Sequence, residues 1–128
     1  MITFDELEEM LFEITAEVPQ ELYHRLNGGV ILLPEEKLHP ESAGRDDLFI
    51  LGEYTNDSRG LGRYIKIYYG SFIRLYGYHT PESQRKQLKR ILHHELTHHL
   101  ESLAGERDLE IEDALGLIRY RRRIKKLN

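Results

Sequence analysis

The 128-residue chain contains no cysteine and no tryptophan. Without thiols it can form no disulfide, thiolate metal site, iron–sulfur cluster or cysteine nucleophile, so any metal must be held by nitrogen and oxygen donors. No uninterrupted apolar run exceeds four residues, as in Val30-Ile31-Leu32-Leu33, far short of the roughly 20 that a membrane-spanning helix needs. A basic excess is also missing: 18 Lys and Arg against 22 Asp and Glu leave a formal net charge of −4. That balance gives no overall drive toward nucleic acid or anionic membranes. The opening Met1-Ile2-Thr3-Phe4-Asp5-Glu6 is acidic where a secretory signal would be basic. The expectation is a cytoplasmic protein with no membrane partner and no nucleic-acid partner.

What is present describes a globular domain. The length suits one domain over residues 1–128, and 40% apolar with 31% charged residues fits a folded, water-facing chain. Thr3 and Glu6 form a capping-box pattern ahead of Phe4, Leu7, Leu11, Ile14 and Val18, which predicts a first helix over roughly 4–18. Pro19 opens a short helical segment that Asn27-Gly28-Gly29 should end, and Val30 to Leu33 reads as a short buried strand. Residues 34–47 read as a loop, 48–54 as a second strand, and Arg63–Tyr69 as a third that pairs with it across the turn at Asn56–Gly60. Gly60-Leu61-Gly62 is taken as part of that turn, although the hairpin's edge could also receive an added strand. Ser71–Tyr76 predicts a short helix ended by Gly77. Thr80 then caps a long helix with Pro81 at its first position, a stripe of Leu88, Leu92, Leu96, Leu100 and Leu103, and an end at Ala104-Gly105. Helices outside a small three-stranded sheet make an α+β architecture.

Inside the long helix stands His94-Glu95-Leu96-Thr97-His98. Residues four apart are neighbours on a helix, so both imidazoles can face one ion. At about 100° per residue, with His94 at 0°, His98 falls near 40° and Glu95 near 100°, beside a leucine stripe at roughly 120–240°. With seven histidines and sixteen glutamates in the chain, the number of such H-E-x-x-H matches expected by chance is roughly 0.05. The pattern fits zinc held by two imidazoles and a carboxylate, with a fourth position open to water. A metal-activated water would then be the nucleophile, and Glu95 the general base that passes its proton to the leaving amine.

The third ligand has three candidates. Ala104-Gly105 can reverse the chain and present Asp108, which is preferred, or Glu106, while Glu101 sits within a turn of His98. Among the other histidines, His93 falls at about 260° on the same wheel, away from the ligand arc, and is expected to be exposed. His99 falls at about 140° and is expected to pack against the sheet or behind the ligands. His79 lies where it could line a cleft. Eight tyrosines are expected to cover a half-exposed sheet with their hydroxyls in water. Residues about 109–126, acidic at the start and carrying Arg119, Arg121, Arg122, Arg123, Lys125 and Lys126 at the end, suit a terminal helix whose charges complement its dipole.

His94-Glu95-Leu96-Thr97-His98-His99, followed by Leu100-Glu101-Ser102-Leu103-Ala104-Gly105-Glu106-Arg107-Asp108-Leu109-Glu110, resembles the predicted bacterial zinc metallopeptidases of the minimal zincin type. The resemblance also takes in Phe4-Asp5-Glu6-Leu7, Leu32-Leu33-Pro34-Glu35-Glu36 and Tyr68-Tyr69-Gly70-Ser71-Phe72. It implies a compact zincin-like fold with a small mixed sheet packed on the active-site helix, one Zn2+ ion as cofactor, and a neutral peptidase activity. It also implies His94 and His98 as metal ligands and Glu95 as general base. Compact members place an aspartate ligand six residues after the second histidine, where this chain has Ala104. About one extra helical turn would move that aspartate to Asp108.

The expected function is therefore zinc-dependent hydrolysis of peptide bonds, with short peptides or unfolded protein segments as substrate. The alternative is a zinc-binding interaction module that keeps the fold and the site but has little or no turnover.

Overall fold

The computed structural model describes residues 1–42 and 48–105. Helix α1 covers Phe4–Glu17. Its start follows from the expected capping box: the Glu6 amide donates to Thr3 Oγ1 at 3.2 Å and the Thr3 amide to a Glu6 carboxylate oxygen at 2.9 Å. Leu7, Leu11 and Ile14 line one face and are buried. Pro19 does open a helical segment, but it is a single 3-10 turn over Gln20–Tyr23, and the chain leaves it at His24 rather than at the glycines. Gly29, at φ +69°, already belongs to the next strand.

Three strands form one mixed sheet in the order β1-β3-β2, with β1 at Gly29–Leu33, β2 at Gly52–Asp57 and β3 at Gly62–Tyr68. Strand β3 lies in the middle, parallel to β1 and antiparallel to β2. The β2–β3 hairpin is the expected one, but β2 begins and ends later than the apolar pattern suggests. Residues 48–50 turn instead toward the loop before them: the His39 amide donates to the Leu48 carbonyl, the Ile50 amide to the Lys37 carbonyl, and Leu38 bridges Phe49. Polar Asn56 and Asp57 stay on the ladder because the reversal comes later and re-enters β3 at Gly62, φ +74°, a value that favours glycine.

Helix α2 covers Tyr69–Tyr76, with Gly77 at its end, and α3 covers Pro81–Ala104. Thr80 caps α3 by accepting from the Ser83 amide at 3.2 Å, and Pro81 takes the first helical position. Ile65 and Ile67 of β3, Leu32 of β1, the α1 stripe and Leu88, Leu92, Leu96 and Leu100 of α3 form one buried cluster. The leucine stripe of α3 is buried throughout, but burial reaches further round the helix, to Ile91 on one side of the stripe and His93 on the other. On the helical wheel those two residues fall at about 60° and about 260°. The α3 helix packs against β2, β3 and α1, so two layers cover it rather than one. No helix among the described residues is long and apolar enough to cross a membrane. The expected terminal helix over 109–126 lies outside the described residues.

The opposite face of the sheet carries a polar cluster. Glu53 accepts from Lys37 Nζ at 2.7 Å and from the Tyr68 hydroxyl at 2.5 Å, with Lys66 Nζ at 3.9 Å. Tyr68 is thus buried and hydrogen-bonded rather than half-exposed to water, and Tyr69 likewise turns its hydroxyl to the Ile2 carbonyl at 2.7 Å. Burial, then the bond to Glu53, push the Tyr68 phenol up to about 12. Partial burial pushes the Glu53 carboxyl up, but Lys37, Tyr68 and Lys66 outweigh it and hold the carboxyl below its usual 4.5. A carboxyl depressed by folding stabilises above its unfolded pKa, and that contribution is lost as pH falls through the folded value. Glu53→Gln is expected to cost about 1 kcal/mol at pH 7. The gap to the unsubstituted protein should close as pH drops below 4.5, as read from urea unfolding at several pH values.

Candidate metal centre

Helix α3 places His94 and His98 one turn apart on its exposed arc, and their rings meet edge to face with centroids 4.8 Å apart. Their Nε2 atoms are 3.3 Å apart. Two nitrogens bound to one zinc at about 2.0–2.1 Å with a tetrahedral angle would stand about 3.3–3.4 Å apart, so the observed pair fits two corners of such a site. At this spacing one neutral ring can also donate to the other. Both imidazoles open into a cleft of about 720 Å³, whose walls include Ile50, Leu51 and Gly52 from the β2 side and Tyr76 from α2.

Glu95 lines the same cleft from the side nearer the leucine stripe and is only 6% exposed. Burial raises its pKa, countered by His94 and His98 and by a hydrogen bond from the Tyr54 amide, while Glu53 pushes the same way as burial. That amide is available because β2 is an edge strand. Leu51 is paired with β3 through the Tyr68 amide at 2.9 Å, and in an antiparallel ladder the backbone groups of alternate residues, here Gly52 and Tyr54, then point away from β3. Gly52 lets the strand come this close: a Cβ there would stand 3.0 Å from Ile91 Cγ2 and 3.3 Å from Glu95 Cγ. The edge strand and the helix therefore meet at the carboxylate.

Tyr54 makes a second link with its side chain. Its hydroxyl lies 2.9 Å from His99 Nδ1, and His99 Nε2 lies 2.9 Å from the His24 carbonyl. A carbonyl only accepts, so Nε2 carries the proton and Nδ1 accepts from Tyr54. Burial lowers the pKa of His99, which is fully buried and neutral in this arrangement. His99 thus packs against the sheet, as its place on the helix suggested. His93 does not follow expectation: it is 3% exposed, and its Nδ1 has no hydrogen-bond partner among the described residues. Burial and then Lys89 lower its pKa, against Glu17 of α1. The side of α3 read as open to water is the side that α1 covers.

Among the described residues no group of three or more His, Asp or Glu gathers around one point. Glu101 lines the cleft, but its carboxylate lies 4.0 Å from Nδ1 of His98, the ring nitrogen opposite Nε2. A carboxylate there orients an imidazole from behind. Asp108 and Glu106 lie outside the described residues. His79 bonds Ser83 Oγ at 3.1 Å and lines a different depression, beside Met1 and Met10. Tyr54 and Gly52 drew no attention in the sequence, although their i, i+2 spacing on one strand puts both side chains toward α3.

No family model matches this chain, and no curated protein matches it. Among solved structures, a "conserved hypothetical protein" from Thermo thermophilus is 35% identical, with a TM-score of 0.66. The match covers 80% of this chain and 98% of that one. This chain belongs to that protein's family. The family connection supports the α+β arrangement and carries no activity with it.

Removing the Tyr54 hydroxyl leaves His99 Nδ1 buried without a donor. Tyr54→Phe is expected to destabilise the protein by about 1–3 kcal/mol, measured as a lower denaturation midpoint at unchanged m-value.

Proposed function

We propose that the chain is a zinc-dependent hydrolase of peptide bonds with a zincin-like fold, working in the cytoplasm on short peptides or unfolded segments. One observation carries this reading: two exposed imidazoles with Nε2 atoms 3.3 Å apart share a cleft with a buried carboxylate from the adjoining residue. His94 and His98 would hold the ion, with Asp108 proposed as the third donor. When bound, zinc supplies Lewis acidity, lowering the pKa of a water toward about 7 and polarising a carbonyl.

The chain's own residues supply the proton handling. Glu95 is raised by burial, so its carboxylate is a better proton acceptor than an exposed one. It would take the proton of the attacking water and return it to the amine of the broken bond. The Tyr54 amide holds the carboxylate in position against α3, and His99, itself held by the His24 carbonyl, fixes Tyr54 in turn. The outward-facing backbone of β2, with Gly52 in the cleft wall, is where an extended peptide could align by main-chain hydrogen bonds. Apolar Ile50, Leu51 and Ile91 give the same cleft a water-excluding side.

His94→Ala or His98→Ala should lower zinc affinity at least about 100-fold, since the remaining donors are too few for a closed site. Glu95→Gln should keep the metal and lose turnover of a peptide library by about 10²–10⁴-fold. Metal analysis and mass-spectrometric detection of cleavage read the two effects separately. Zinc retained equally in both histidine variants would sink the metal assignment. Full zinc occupancy with no cleavage by the unsubstituted protein would leave a metal-binding interaction module.

A further inference from the structure

Gln87, Arg90, His94, His98 and Glu101 all line the cleft. On the α3 wheel they fall within an arc of about 80°, from Arg90 near 320° to His98 near 40°. They form a row along one side of the cleft, with a cation one turn before the histidine pair and an acid one turn after it. Arg90 is exposed, and its Nη1 donates to the Gln87 side-chain oxygen at 3.2 Å. Gln87 thereby steadies a long side chain with one of its five N–H donors and leaves the rest of the planar fork for a ligand. A guanidinium fork matches a carboxylate with two parallel hydrogen bonds, a geometry that lysine does not offer.

From these placements we infer that Arg90 is a specificity-determining residue, which binds a carboxylate carried by the substrate. The inference rests on the metallohydrolase reading for what lies beside it. Arg90 and His94 are about 6 Å apart along the helix axis. The bond to Gln87 draws the guanidinium toward the preceding turn, to roughly 6–10 Å from the histidine pair. An extended peptide advances about 3.3 Å per residue, so the carboxylate sits two or three residues from the scissile bond. It can come from an acidic side chain or from the chain's own C-terminus, and both present the same planar anion.

The test uses the zinc-loaded Glu95→Gln protein, which binds without cutting, and fluorescein-labelled octapeptides read by anisotropy. The peptides are identical except for one Glu or Gln, scanned along the chain, and a free or amidated C-terminus. Glu-containing or free-carboxylate peptides should bind more tightly than their neutral partners. Arg90→Met should shrink that preference about five- to twentyfold, whereas Arg90→Lys should keep part of it. The Glu/Gln scan and the terminal pair tell the two sources of the carboxylate apart. An Arg90→Met variant that weakens charged and neutral peptides alike, or neither, overturns the inference, even if the unsubstituted protein cleaves peptides in a Glu95-dependent way. Arg90-dependent carboxylate binding without any cleavage by the unsubstituted protein sinks the hydrolase reading and leaves this one standing.

Discussion

Burial of a wide arc of α3 against both β2–β3 and α1 is the constraint from which the rest of the structure follows. Leu88, Leu92, Leu96, Leu100 and Leu103 are almost wholly removed from water, and each such side chain contributes about 2 kcal/mol. A helix fixed over roughly 200° of its circumference cannot roll, so the remaining arc is fixed as well. That remaining arc bears the two imidazoles, Arg90 and Glu101. The apolar packing thus aims polar side chains that take no part in it.

Glu95 lies inside the buried arc, on the side nearer the cleft, and its neighbours explain how a carboxylate is accommodated there. An isolated buried carboxylate is costly, yet here the edge of β2 offers an amide, and His94 and His98 counter part of the upward push of burial on its pKa. Gly52 matters by having no side chain, since a Cβ at that point would crowd Ile91 and Glu95 together. The same close approach brings Tyr54 to His99, so one residue serves the carboxylate with its backbone and the core with its hydroxyl. Strand and helix are joined at the place where the chemistry is proposed.

Charge elsewhere is arranged in small, mostly local groups. Glu53 gathers Lys37, Lys66 and Tyr68 on the far face of the sheet, and Arg85 ties α3 to Glu13 of α1. These pairs lie on the side of the sheet away from the cleft or along the α1 contact. The cleft keeps an uneven distribution of its own, cationic at Arg90 and acidic at Glu101.

The elements bounded by local chemistry were legible in the sequence: α1 from its Thr3–Glu6 box, α3 from Thr80-Pro81 and its leucines, and the β2–β3 pairing from its turn. The H-E-x-x-H spacing likewise determined that two imidazoles would share a side of one helix turn, because helical geometry alone requires it. Non-local packing decided the rest. Whether His93 faces water depends on α1, about eighty residues away in the chain, and residues 48–50 stay off the sheet because the loop at Lys37–His39 competes for their backbone. Tyr54 reaches Glu95 and His99 only through the edge position of β2 and the missing side chain at Gly52. Such contacts join segments whose separation in sequence says nothing about their distance in space, whereas caps, turns and helical periods are settled within a few residues.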